Sequence, residues 1–249
     1  MPSVSVSPYF DGTNYALGNV GVLFANSSAA TAWSNARGAS SGTVDQTTIQ
    51  SPDSIEVSYV QGRGHQYTIH RSFLWYDLSA LASSTSSNVI SALTHNVPSG
   101  GTSGVSTDFV IAKSVNAFSS ATSATLASGD FNSVYFTTYY SSTGLSWATS
   151  GLTVSTTLNT SAVNDANSNG LLSMVYLNFS YDYLNSQPST SFSFTGINSI
   201  DSRSPSKVAL TVTYAAAGLS YDVNTVLGAD IKEVNTVGNA DIGELNTVS

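Results

Sequence analysis

Three histidines, a single glutamate in the first 214 residues and a scatter of aspartates are the side chains of this 249-residue chain that could do acid–base or metal chemistry. His65 and His70 stand five apart, a spacing that sends them to opposite faces of a strand. Neither forms an HxH or Hx3H pair of the kind that holds zinc, and His95 stands alone. The expected role of all three is that of exposed strand or loop histidines. Hydrolysis of a glycosidic bond needs two carboxylates facing one linkage. Glu56 has no carboxylate beside it, and the aspartates come singly, most in turn contexts such as Asp11-Gly12 and Ser51-Pro52-Asp53, where Asp is a common turn former. There is no cysteine, hence no thiolate nucleophile, no cysteine-based zinc site and no disulfide framework. No phosphate-cradling glycine loop is present. The residue types point away from an enzyme, and toward no cofactor.

One oxygen-rich run fits a metal. Asp165-Ala166-Asn167-Ser168-Asn169-Gly170 matches the first half of a D-x-N-x-N-G calcium loop, with Asp165, Asn167 and Asn169 as alternate ligands and glycine at the sharp turn. The twelfth position is Tyr176, where the bidentate Glu belongs. The same residues read as a helix C-terminus entering an Asn/Gly turn, and the missing ligand favours that structural reading over Ca2+.

The aromatic pattern is stronger. Between 67 and 78 one strand face carries Leu74, Tyr76 and Leu78, and the other carries Tyr67, Ile69, Arg71, Phe73 and Trp75. Flat rings with a neighbouring guanidinium suit a sugar, which makes Tyr67, Arg71, Phe73 and Trp75 glycan-contact candidates. The competing reading buries both faces of the strand in a two-layer core. A second cluster, Tyr135, Phe136, Tyr139, Tyr140 and Trp147, borders a Ser/Thr/Gly loop; it reads as the rim of a ligand site, which adds Tyr139 and Trp147 to the candidates, or simply as packing.

The elements that must position these residues are strands. Period-two alternation marks Ser3 to Ser7, Ile55 to Val60, Phe192 to Phe194 and Val208 to Tyr214. Turn-rich breaks separate them: Asp11-Gly12-Thr13-Asn14, Gly62-Arg63-Gly64, Pro98-Ser99-Gly100-Gly101 and Gln187-Pro188-Ser189. Many short strands between frequent turns predict an all-β antiparallel sandwich over residues 1–214. One short helix is expected at about 161–166, ended by Asn167-Ser168-Asn169-Gly170. A linker over 215–218 leads to a tail, 219–249.

Composition narrows the partners. Hydrophobic residues make up 41% of the chain, enough for a core, but only 9% are charged and the formal net charge is −8. The seven Lys and Arg are scattered, so nucleic acid is a poor partner. No run approaches the ~18 apolar residues of a membrane span, which argues against membrane insertion. The opening MPSVSVSPYFDGTN lacks the basic and apolar regions of a secretory signal. Yet the Ser/Thr/Tyr-rich, Lys-poor make-up suits work outside cells. A bacteriophage particle reconciles the two, because its parts assemble in the cytoplasm and leave by lysis; a secreted extracellular module is the alternative.

The stretch Tyr67-Thr68-Ile69-His70-Arg71-Ser72-Phe73-Leu74-Trp75-Tyr76-Asp77-Leu78-Ser79-Ala80-Leu81, followed by Val89-Ile90-Ser91-Ala92-Leu93, resembles the "YRSFLKFDLS…ISSATL" signature of DNRLRE-type, carbohydrate-binding-module-like β-sandwich domains. Ala127-Ser128-Gly129-Asp130-Phe131 resembles that family's "ADY" turn, Leu158-Asn159 through Gly170 its short helix, and Pro205 to Tyr214 its closing strand. The likeness spans residues 1–214 by order of segments. It implies a jelly-roll-like sandwich of a kind found on secreted polysaccharide-acting proteins and in phage particles, and it implies no activity.

The tail reads as repeated elevens, VNTVLGADIKE, VNTVGNADIGE and a partial LNTVS. Val223, Val226 and Ile231, then Val234, Val237 and Ile242, recur at the first, fourth and ninth positions, and an eleven-residue period on a helix would align them in one stripe. Asn-Thr-Val is poor helix material and glycines interrupt it, so short helical turns at 229–231 and 240–242 are expected to alternate with extended Asn-Thr-Val pieces. Five acids against one base give the tail half of the net charge. Two and a half repeats are too few to fold alone. These six apolar residues are docking candidates, for sister copies of the chain or other virion proteins. The tail also resembles short "VNGV…ADI" repeats at the C-termini of some tailed-phage virion proteins. The expected whole is a structural virion protein, a capsid decoration or a tail or neck appendage, whose outward body meets a host surface glycan.

Overall fold

The computed structural model describes residues 1–10, 16–46, 53–83, 88–98, 102–103, 108–115, 124–142, 144–146, 153–189, 192–200, 208–215, 233–234 and 237–238. The chain opens with β1 (Ser3–Val6), β2 (Leu17–Asn26), α1 (Ala29–Arg37), β3 (Thr43–Asp45), β4 (Asp53–Gln61) and β5 (His65–Asp77). It continues through β6 (Val89–Pro98), β7 (Thr102–Ser103), β8 (Asp108–Ser114), β9 (Val134–Tyr139), β10 (Leu145–Ser146) and β11 (Thr153–Thr157). Then come α2 (Thr160–Asn169), β12 (Leu171–Asn178), β13 (Phe192–Ile200), β14 (Ala209–Ala215), β15 (Glu233–Val234) and β16 (Val237–Gly238).

The fold is an all-β antiparallel sandwich, as the alternation predicts. The smaller sheet has the order β1-β14-β6-β11, and the larger runs β10-β8-β12-β5-β4-β13-β7, with β2 and β3 joined through β5 and β9 through β8. Between the sheets lies an apolar core. Leu74, Tyr76, Phe109, Ile111, Leu172, Met174 and Tyr176 come from the larger sheet and meet Ile90, Leu93, Leu210 and Val212 of the smaller. Helix α2 packs against β6 of one sheet and β12 of the other.

Strand β5 alternates Leu74 and Tyr76 into this core and Tyr67, Ile69, Phe73 and Trp75 into a second core on the opposite face. The second core is closed by α1, through Ala32, Trp33 and Ala36, and by Phe131 of a 3-10 turn, Ser128–Asn132. A π-helical turn, Phe179–Tyr183, packs against β8 and β12 beside it. The molecule therefore has a third layer, where the sequence reading allowed two. A strand buried on both faces needs apolar residues at every position, which is why β5 shows no polar stripe from Phe73 to Tyr76.

Helix α1 is not among the elements expected from the sequence. Its signals are nonetheless local. Ser28 caps it by accepting from the Thr31 amide, and the buried Ala32, Trp33 and Ala36 stand at helical spacing. Helix α2 is longer than expected. It is capped by Asn159, which accepts from Ser161 and Ala162, and it ends at Gly170 with φ of 66°, a left-handed conformation natural to glycine. In the tail, Glu233 pairs with Gly238 and Val234 with Val237 in antiparallel register. The expected helical turns at 229–231 and 240–242 lie outside the described residues.

His95 is fully buried, against the expectation of an exposed histidine. It stands on β6 of the smaller sheet, and its ring is held by two hydroxyls of the larger sheet: Tyr76 2.7 Å from Nε2 and Tyr176 2.6 Å from Nδ1. A neutral imidazole has one donor and one acceptor, so one tyrosine donates to the ring and the other accepts from it. Burial pushes the His95 pKa down to about 3, from an ordinary 6.5. Below pH 6.5 the unfolded chain takes up a proton that the folded chain refuses, so stability is lost as pH falls from 6.5 toward 3. The loss from this group approaches roughly 1.4 kcal/mol per pH unit. Denaturant unfolding of the wild type and of His95→Asn across pH 7 to 4 is expected to show a steeper acid slope in the wild type; parallel profiles would contradict it.

Candidate functional site

The second core is organised by a cation. Arg71 projects from β5 into it with no solvent exposure. Its Nε and Nη2 donate to the two carboxylate oxygens of Asp182 at 2.7 and 2.8 Å, the bidentate geometry that suits a guanidinium. Nη1 donates to the Phe131 carbonyl at 2.7 Å and Nη2 to the Arg37 carbonyl at 3.0 Å. The guanidinium carbon also lies 4.0 Å from the ring centre of Phe131. Arg37, in the last turn of α1, donates from Nε to the Asp182 carbonyl at 2.7 Å and lies over Phe136 of β9. Burial pulls the Arg37 pKa down, Asp182 opposes this only in part, and the neighbouring Arg71 adds to the lowering. One arginine thus joins β5, the end of α1, the 3-10 turn and the π-helical turn.

This placement corrects most of the glycan-contact candidates. Tyr67, Arg71, Phe73 and Trp75 share a strand face as the alternation predicts, but that face is sealed beneath the third layer. Tyr67 stacks on Tyr59 at 4.6 Å and donates to the Pro188 carbonyl at 3.1 Å, and Trp75 packs edge-on against Tyr9 at 4.2 Å. None offers a ring to a sugar. Trp147 lies outside the described residues.

The calcium candidates are likewise occupied. Asp165, Asn167 and Asn169 belong to α2, whose turns rotate alternate residues away from a common centre. Asp165 accepts from Lys113 Nζ at 2.9 Å and from the Tyr140 hydroxyl at 2.7 Å. Asn167 accepts from the Ile90 amide at 3.0 Å and donates to the Ile90 carbonyl at 2.8 Å, while Asn169 donates to the Asp165 carbonyl. Burial, then Asp165, raises the Tyr140 pKa far above its ordinary value, so its hydroxyl stays a donor. Glu56, the lone glutamate of the body, sits opposite His70 in the β4–β5 pairing with 3.7 Å between them. Burial lowers the His70 pKa, with Glu56 and Asp45 opposing. Its ring lies across Gly21, where any Cβ would collide with it. Among the described residues no cluster of three His, Asp or Glu has metal-binding geometry, and no helix is long and apolar enough to cross a membrane.

What faces outward is strand β9. Its burial alternates, leaving Tyr135 at 46% and Tyr139 at 40% exposure on one face while Val134 and Phe136 pack on the second core. Tyr139, the surviving glycan-contact candidate, meets Tyr183 edge-on at 6.3 Å. Tyr135 stands at the rim of a cleft of about 500 Å³ between the loop after α1, the 3-10 turn and the end of β8. Ser40, Gly129, Asp130, Asn132 and Ser133 supply its polar lining, and Val115 and Val134 its apolar part. The sequence reading missed this cleft, since Ser40 and Asn132 are far apart in the chain. The one signal was Tyr135, a member of the second aromatic cluster. Of the docking candidates, Val234 and Val237 pair with each other in the tail; Val223, Val226, Ile231 and Ile242 lie outside the described residues.

No protein-family model and no curated protein matches this chain.

Replacing Arg71 by Met strands the Asp182 carboxylate in a buried site, with Arg37 3.6 Å away as partial compensation. The expected loss is about 3–5 kcal/mol in denaturant unfolding, and Arg71→Met with Asp182→Leu is expected to recover a large part of it. A double variant as damaged as the single one would contradict the pairing. Because all three calcium candidates are engaged, Ca2+ at ~1 mM, in the range of weak extracellular modules, is expected to leave the melting temperature unchanged; a clear rise would restore the metal reading.

Proposed function

We propose that this chain is a non-enzymatic structural protein of a bacteriophage particle, a β-sandwich body displayed outward and attached through its C-terminal repeat. The observation that carries the reading is the use made of the reactive side chains. Arg71, Asp182, His95, Asp165 and Lys113 are each engaged in internal contacts that join one element to another. Such groups lock a scaffold and are not arranged around a substrate. The resemblance of the body to DNRLRE-type sandwiches, and of the tail to short repeats of tailed-phage virion proteins, supports the same reading. So does the tail itself, whose acidic, evenly spaced apolar pattern suits attachment to a partner better than independent folding.

The alternative, a secreted polysaccharide-binding module, is favoured by the exposed tyrosines of β9 and the polar cleft beside them. The two readings part over the tail. Light scattering on the full chain and on a variant ending at Gly218 is expected to give a defined oligomer for the first and a single chain for the second. If both are monomers and neither binds purified virion proteins of the phage, the attachment reading fails.

A further inference from the structure

We infer that the cleft between the 3-10 turn and strand β9 is a binding site for a neutral oligosaccharide. The proposal rests on the reading of the body as an outward display module and gives that display a site and a ligand class. Its volume, about 500 Å³, falls within the ~300–1,000 Å³ of small-molecule sites.

The walls are fixed before any ligand arrives. On one side the Asp130 carboxylate accepts from the Ala127 amide at 2.7 Å, and Arg71 holds the Phe131 carbonyl. On the other, the Gly42 amide donates to the Ser128 carbonyl at 2.9 Å, while Arg71 also holds the Arg37 carbonyl three residues before Ser40. The Ser133 carbonyl accepts from the Ser114 hydroxyl at 2.9 Å and from the Val115 amide at 3.1 Å, which pins the turn to β8. A pre-formed site loses little conformational freedom on binding.

The lining selects the ligand class. Ser40, Asn132 and Ser133 offer hydroxyl and amide groups that both donate and accept, as sugar hydroxyls require. Tyr135 presents a half-exposed ring at the rim, a flat surface for the C–H face of a pyranose. The charged residue in the lining is Asp130, an acid. Lys113 lies 5.9 Å from the Tyr135 ring centre, but its ammonium is paired with Asp165. Among the described residues that line the cleft, phosphates, sulfated sugars and uronates therefore find no cation. A wholly apolar ligand would leave the polar lining unpaired.

The test is a glycan array carrying neutral, N-acetylated, sulfated and uronate oligosaccharides, probed with the full chain and with Tyr135→Ala, Tyr135→Phe, Asn132→Ala and Tyr139→Ala. Tyr135 and Asn132 are exposed, so these variants should keep the wild-type melting temperature. The wild type is expected to bind neutral glycans and not anionic ones. Tyr135→Ala and Asn132→Ala should each weaken binding about ten-fold or more, equivalent to ~1.4 kcal/mol. Tyr135→Phe, which keeps the ring, should bind nearly as well as the wild type. Neutral-glycan binding that survives Tyr135→Ala and Asn132→Ala but is lost in Tyr139→Ala would overturn the cleft and leave glycan display standing on the outer face of β9. Preference for anionic glycans would overturn the ligand class. No binding to any glycan would overturn both the cleft and glycan display, while the tail-dependent assembly measured by light scattering would stand untouched.

Discussion

A single guanidinium, that of Arg71, sets the arrangement of the segments that cover the outer face of the larger sheet. It reaches from the middle strand of the larger sheet and contacts the last turn of α1, the 3-10 turn and the π-helical turn at once. Apolar packing alone cannot do this. Hydrophobic contact is non-directional, and Trp33 or Phe131 would bury comparable area in several positions. A planar fork of donors facing two carbonyls and a carboxylate admits one arrangement. The free-energy contribution of such a pair is small once desolvation is counted, and apolar replacements are often as stable. Stability comes from the two apolar cores; the arginine decides where the third layer sits.

The same logic runs through the other core. His95 crosses from the smaller sheet to two tyrosines of the larger, so the sandwich is registered by a polar contact inside an apolar interior. Asp165 does the same between α2, β8 and the segment after β9. A chain with few charged residues spends several of them inside. The exposed face of β9 and the cleft beside it are rich in Ser, Asn, Thr and Tyr, which suits a surface that recognises neutral polar ligands. The cleft beside Tyr135 is where this chemistry becomes concave, and its walls are two of the segments that Arg71 holds.

Much of the sandwich was legible in the sequence, because strand alternation is local. The two faces of β5 separate at the residues the pattern assigns, while α2 runs on through Asn167, Ser168 and Asn169, expected to stop it, and ends at Gly170. The role of Arg71 was not legible. Its partners lie 34, 60 and 111 residues away, and an arginine among aromatics reads either as a ligand contact or as part of a buried face. Burial, which periodicity does not report, separates the two. The calcium-like run shows a related ambiguity: D-x-N-x-N-G fits a loop with converging oxygens and a helix end, Tyr176 in place of a Glu already favours the latter, and Asn159 and Gly170 cap that helix. Helix α1 was hidden by small residues that carry little hydrophobic signal. Its Ala32, Trp33 and Ala36 become informative only when the second face of β5 is known to need a cover.

The claim that Arg71 places the third layer is tested most directly by native-state hydrogen exchange on the wild type and on Arg71→Met with Asp182→Leu. The account predicts that protection falls at the amides of Gly42, Asp130, Ser133 and Val115, which hydrogen-bond within or to the segments that form the cleft, while β6 and β14 in the sandwich keep theirs. Unchanged protection at those four amides, or a uniform loss that includes β6 and β14, would contradict it.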